Sequence, residues 1–239
     1  MTRHEQLEAL LERQNRLAAR AGEGGDRAER LHVLRAWQVE RLAGTYADLR
    51  GDAHYARAVE FFLSDLYGPQ EFTQRDADLR RAWRYLNRAL PRAAIDILVR
   101  AVELQVLTAE LDASLVSMLA PGPITPASYA AAYRAAGQRA ARARQIELLV
   151  RIGEDLRRLV SRVWLAPLLR AAHGPAHAAG LGVLQDFLER GLAAFRAMPD
   201  DGRLLSGVRE RETHFLETLF AGGAVPPATV GGPGRTPGP

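Results

Sequence analysis

The chain has 239 residues, 47% of them hydrophobic and 25% charged, which is ample for a large packed core and excludes wholesale disorder. It has no cysteine, which excludes a disulfide scaffold, an iron–sulfur cluster, a thiolate nucleophile and a thiolate zinc site. Its 32 basic residues, all arginine, face 28 acidic ones, so the net charge of +4 is small for a chain with a pI near 9.9.

Met1 to about Ala21 favours helix, with Leu7, Leu10, Leu11 and Leu17 at helical spacing, and Gly22, Gly24 and Gly25 end it. This opening stretch is charged throughout, so it is expected to be neither a signal peptide nor an anchor. Asp26 to about Leu49 reads as a second helix with Leu31, Leu34, Val39 and Leu42 on its apolar side. Gly51-Asp52 punctuates, and a third helix is expected to run to about Tyr67 before Gly68-Pro69 stops it. Thr73 and Asp76 make a variant capping box for a helix through Trp83 and Leu86 to Leu90, and Pro91 fits the first position of the next helix.

From Arg92 to Leu119, Ile95, Leu98, Val99, Val102 and Val106 mark a long helix expected at the centre of the fold. Pro121-Gly122-Pro123 is a firm break, after which Thr125-Pro126 reads as an N-cap and first helical residue. Gln138 to Val163 is another helix, with Ile146, Leu149, Ile152, Leu156 and Leu159 on one side and the pairs Glu147–Arg151 and Glu154–Arg158 on the other. His173-Gly174-Pro175 is expected to interrupt helical structure. Leu181, Leu184, Leu188, Leu192 and Phe195 then mark one helix, and Leu204, Leu205, Val208, Phe215 and Leu219 the last.

Strand-type alternation is absent, so the fold class is all-α, a multi-helix bundle of about eight to ten helices. Residues 1–221 are expected to form a single helical domain, because two halves divided at Pro121–Pro123 would each need a complete core. Gly222 to Pro239 is composed of glycine, proline and small residues and is read as a disordered tail.

The missing lysine removes the Walker phosphate loop, Schiff-base chemistry and the usual pyridoxal phosphate anchor. No Gly-x-Ser-x-Gly elbow or dinucleotide fingerprint is present either. The densest basic stretch, Arg134 to Arg162, reads as a solvated helix face rather than a nucleic-acid surface. No uncharged run approaches the roughly 20 residues that span a bilayer.

A di-iron bundle needs two Glu-x-x-His pairs, and Glu29-x-x-His32 supplies one. His173 and His177 have metal-ligand spacing, but Gly174-Pro175 between them argues against a regular helix. Glu210 and His214 are a further possible pair, yet nothing in the sequence brings these groups together. No metal site and no cofactor are therefore expected. Asp96, Glu103 and Glu110 recur every seven residues and read as a solvent-facing stripe; facing inward, they would need arginine partners.

The most distinctive stretch runs from Phe61 to Asp76. It reads either as an aromatic corner in which Asp65 accepts a hydrogen bond and Asp76 caps the next helix, or as a pocket lined by Asp65, Tyr67, Arg75 and Asp76 that binds a ligand. Through Phe61-Phe62-Leu63-Ser64-Asp65-Leu66-Tyr67-Gly68-Pro69 and Arg75-Asp76, the chain resembles a family of uncharacterised all-helical proteobacterial proteins. The likeness extends through Gln145-Ile146, Gly153, Ala179-Gly180-Leu181, Phe187-Leu188-Glu189 and Arg209-Glu210-Arg211-Glu212, and covers about residues 30 to 220. It implies membership in that bacterial family, with no activity to carry over; the missing cysteine and the charged opening stretch fit a cytoplasmic protein. The expected function is non-catalytic, binding a protein partner or a second copy; the alternative is a small-molecule or cofactor-binding protein, with or without catalysis, using the Asp65–Asp76 turn.

Overall fold

In the computed structural model the described residues are 2–22, 25–66, 78, 81–82, 92–199 and 201–226. Among them the structure is helical without strands: α1 (Arg3–Gly22), α2 (Gly25–Thr45), α3 (Ala47–Arg50), α4 (Ala56–Phe61), a π-helical turn (Phe62–Leu66), α5 (Arg92–Met118), α6 (Pro126–Ala135), α7 (Arg139–Val160), α8 (Leu165–Ala178), α9 (Gly182–Ala197) and α10 (Arg203–Phe220). The chain is thus a multi-helix bundle, as its helical periodicity predicts. No described helix is long and apolar enough to cross a membrane.

The long helix α5 is central: α1, α2, α6 and α7 pack on it, and α10 packs on α7. Its buried face carries Ile95, Val99, Val102 and Val106 toward Leu7 and Leu11 of α1. Further along, Leu115, Val116 and Leu119 join Leu31 and Leu34 of α2, Tyr129 and Tyr133 of α6 and Phe215 of α10. A third apolar cluster joins Leu42, Tyr46 and Leu49 to Tyr55 and Val59 of α4, Val150 of α7 and Val208 of α10.

Local signals set several boundaries. The Thr125 side chain accepts from the Ser128 amide at 3.1 Å, and the Ser128 hydroxyl accepts from the Thr125 amide at 2.9 Å. With Pro126 at the first helical position, this reciprocal cap fixes the start of α6. Chain reversal beyond α10 uses Gly222 at φ 90°, a left-handed conformation that a side chain would strain.

Three expectations need correction. The helix read as running from Asp52 to Tyr67 is α4 followed by a π-helical turn, a wider winding that shifts the side-chain phase within the aromatic corner. His173-Gly174-Pro175 does not interrupt the helix. α8 runs unbroken from Leu165 to Ala178 with Pro175 inside it, three residues before its end. Proline removes one amide there, and the helix is reclosed beyond it by the Ala179 amide on the Pro175 carbonyl at 3.0 Å. On α2, Gln38 rather than Val39 takes the deep position, since 31, 34, 38 and 42 follow the helical repeat and all four are buried.

Candidate functional site

Where α2, α5, α6, α7 and α10 converge, the core is polar. The buried face of α2 carries Gln38, and the next turn brings Arg41 beside it; α5 adds Asp112, α7 adds Arg142 and Gln145, and α10 adds Glu212. Arg41 grips Glu212 through two hydrogen bonds of 2.9 and 3.0 Å, and the Tyr46 hydroxyl donates to the same carboxylate at 3.1 Å. The Arg41 guanidinium also lies 4.2 Å from the Phe215 ring centre. Burial alone would lower its proton affinity, but Glu212, through charge and hydrogen bonding, raises it above the ordinary arginine value. Burial, reinforced by Glu212, pushes the Tyr46 phenol well up.

Asp112 is 1% exposed and accepts from Gln38 Nε2 at 3.2 Å and Arg35 Nε at 3.4 Å. Arg142 is buried too, donating to Gln145 Oε1 at 3.1 Å and lying 5.0 Å from the Tyr133 ring centre, while Gln145 donates to Thr108 at 2.7 Å. These groups surround a cavity of about 40 Å³ lined by Gln38, Arg41, Arg142, Gln145 and Glu212. Two buried atoms, Arg41 Nε and Gln38 Oε1, have no hydrogen-bond partner among the described residues. A polar cavity of this size has room for one or two waters and is too small for a cofactor.

Next to this centre, Arg211 holds Asp48 bidentately at 2.7 Å on both oxygens, which lowers the Asp48 carboxyl below the usual range. Sequence reasoning missed this centre because Arg41, Glu212 and Asp112 are scattered along the chain and lie in helices rich in charge.

The α8–α9 hairpin is chemically different. Among its fourteen residues α8 carries one charged side chain, Arg170, and none is buried. The helix rests on α9 and on the end of α7. Trp164, at its N-cap, and Leu168 and Val163 are exposed, Val163 by 86%. The helical repeat puts Trp164, Leu168, Ala171 and Pro175 on one outer stripe. On another side, His173 Nδ1 lies 3.0 Å from Glu189 Oε1 and His177 Nε2 lies 2.9 Å from Asp186 Oδ1. Between the helices a groove of about 380 Å³ is floored by Leu169 and Leu192 and edged by Arg170, Glu189 and Arg196.

Of the residues read as ligand-binding, Asp65 lies in the π-helical turn, its side chain outside the described part. Tyr67, Arg75 and Asp76 lie outside the described residues, as does the Thr73–Asp76 capping box. Just beyond them, Asp78 is fully buried and paired with Arg81 at 2.5 Å, and Arg81 also donates to the Gly180 carbonyl in the α8–α9 turn at 3.0 Å. The acids Asp96, Glu103 and Glu110 are half-buried and do have arginine partners: Arg3, Arg144 and Arg13, at 2.9, 3.0 and 2.5 Å.

These features define a helical bundle protein with a charge-paired interior and a helical hairpin whose first helix has one charged side chain and no buried residue. The chain belongs to the family described as Domain of unknown function (DUF8198), whose model matches residues 17–226. No curated protein and no solved structure gives a match.

Proposed function

We propose that this is a non-catalytic, self-associating helical protein whose docking surface is the outer stripe of α8, and that a second copy of the chain covers it. The observation that carries this reading is that α8 buries none of its residues while presenting Trp164 and Leu168 to solvent. Contiguous exposed apolar surface of this kind marks an association site. A second copy is the occupant proposed because the stripe Trp164–Leu168–Ala171–Pro175 is compatible with itself about a two-fold axis. Carrying no charge, it sets no like charges against each other at the contact, although each chain carries +4.

Sedimentation velocity across a concentration series tests this. The wild type is expected to dimerise, and Trp164→Glu with Leu168→Glu to give a monomer with the far-UV circular dichroism of the wild type and a midpoint lowered only by the lost association. A wild-type chain that stays monomeric at the highest concentration, or a dimer that survives both substitutions, overturns the reading.

A second reading places a small-molecule site at Asp65–Asp76, supported by the fully buried Asp78 carboxylate and its Arg81 partner, which follow Asp76 closely in the sequence. Native mass spectrometry decides it. A co-purifying mass lost in Asp65→Asn and Arg75→Gln supports a site, and a clean chain mass in the wild type removes it.

A further inference from the structure

The two histidines of α8 face two carboxylates of α9 across the hairpin. Because α8 is unbroken through Gly174-Pro175, His173 and His177 stand one turn apart on the same side of the helix. Asp186 and Glu189 stand at a spacing of three on α9 and meet them. The ligating atoms of His173, His177 and Asp186 all lie within 4.8 Å of one another, and the two imidazole centres are 4.5 Å apart. We propose that His173, His177 and Asp186 bind a divalent transition metal ion of the zinc type, with Glu189 as a fourth ligand or as the hydrogen-bond partner that orients His173.

The donor set fits that class of ion. Two imidazole nitrogens and one or two carboxylate oxygens suit zinc and its first-row neighbours, which they hold at about 2.0–2.2 Å. Closing from the observed separations to a tetrahedral shell asks only for side-chain rotation of half-exposed groups on two already positioned helices. Glu189 is itself oriented by Gln185, which donates to it at 2.8 Å and to the Leu169 carbonyl of α8 at 2.7 Å. A carboxylate fixed in this way and bonded to a ligating imidazole is the usual outer support of a zinc histidine.

Two further observations support the site. Gly182, the first residue of α9, leaves room for the His177 ring: a Cβ there would lie 2.7 Å from Nδ1 and 2.8 Å from Cε1. The hairpin also has use for the ion. With no residue of α8 buried, apolar packing holds that helix weakly, and an ion bridging it to α9 supplies the missing restraint. The site lies on a different side of α8 from the apolar stripe, so it stands whether or not the chain dimerises.

The test is calorimetric titration of zinc chloride into the untagged full chain after chelator treatment and dialysis, with thermal midpoints measured alongside. One zinc per chain is expected, with a raised midpoint. His177→Gln and Asp186→Asn are each expected to weaken binding at least about tenfold. Gly182→Ala, which keeps every ligand but displaces the His177 ring, is expected to weaken it as well. His54→Gln, in the turn before α4, is expected to bind as the wild type does. Far-UV circular dichroism establishes that each variant is folded. Absence of saturable uptake, or equal binding by folded His177→Gln and Asp186→Asn, overturns the proposal and leaves the two pairs as hydrogen bonds that tie α8 to α9.

Discussion

Arg41 and Glu212, 171 positions apart in the chain, meet in a two-pronged ion pair that ties α2 to α10 inside the bundle. Both side chains are 13% exposed. At that depth the cost of removing one partner is set mainly by the charge left unpaired. Glu212→Ala strands a guanidinium and also deprives Tyr46 of its acceptor, and is expected to cost about 3–5 kcal/mol. In a chain of this size that lowers the thermal midpoint by roughly 6–20 °C. The double variant Arg41→Met with Glu212→Leu, which removes both charges and keeps the volume, is expected to recover most of the loss. A double variant no better than Glu212→Ala shows that the pair specifies packing that apolar groups cannot replace.

Phe61 and Gly191 give the second prediction. The Phe61 ring is buried at the α4–α9 contact, with Phe187 at 5.3 Å and Phe195 at 6.4 Å between ring centres. A Cβ on Gly191 would lie 2.9 Å from Phe61 Cζ, with two more ring atoms within 3.5 Å. In an open helix Gly→Ala gains about 1 kcal/mol from propensity. Here a stiff ring hemmed in by two others must move, and overpacking costs about 1–3 kcal/mol. Gly191→Ala is therefore expected to destabilise in denaturant unfolding, and Phe61→Leu in the same background to restore part of the loss. A stabilised Gly191→Ala variant refutes the close approach.

Much of this architecture is legible in the sequence, and the exceptions share a cause. Thr125-Pro126 and the apolar repeat of α5 act through their neighbours, so local reading places a helix start and a buried face. Arg142 and Gln145 are among the buried residues of α7, although Ile146, Leu149, Ile152, Leu156 and Leu159 form its most evident apolar row. α7 is clamped by both α5 and α10, so its buried arc is wider than the hydrophobic stripe, and the polar residues at its edge are carried inside. Glu154 likewise bonds to Arg209 of α10, while Arg158 pairs with Asp155. Pro175 misled because a proline near a helix end costs one hydrogen bond, and the turn beyond it closes the helix again. The hairpin cluster of histidines and acids depended on that point, since only a continuous α8 brings His173 and His177 to one side. The Asp65–Asp76 reading stays a proposal, since Tyr67, Arg75 and Asp76 lie outside the described residues.

The buried phenols predict the alkaline limb of stability. Burial, reinforced by Glu212, holds Tyr46 above the ordinary value of 10, and burial also raises Tyr133. In the unfolded chain both ionise as the pH passes about 10, whereas in the folded chain they keep their protons. Their contribution is thus fully present below pH 10 and is lost as the pH climbs toward the folded values. The midpoint is expected to fall steeply above pH 10, and Tyr46→Phe with Tyr133→Phe to flatten that fall while lowering the midpoint near neutrality, where the Tyr46 hydroxyl bond to Glu212 is lost. An alkaline slope unchanged by the substitutions shows that other groups carry it.

The end of α10 separates two truncations. The Gly222 amide bonds the Leu219 carbonyl at 3.1 Å and the Gly223 amide bonds the Thr218 carbonyl at 2.9 Å, the paired bonds that close a helix through a left-handed glycine. Arg134 of α6 donates to the Leu219 and Gly223 carbonyls at 3.3 Å, and Val225 packs against the cluster around Tyr133 and Phe215. Residues 227–239 lie outside the described residues and, apart from Arg235, are glycine, proline and small side chains with little apolar surface to bury. Deleting Pro227–Pro239 is expected to leave the thermal midpoint within error. Deleting Gly222–Pro239 removes the helix closure, an acceptor of Arg134 and the packing of Val225, and is expected to cost about 1–3 kcal/mol. Equal midpoints for the two truncations would place the end of the folded bundle at Ala221, and a loss already present on removal of Pro227–Pro239 would show that the final segment packs on it.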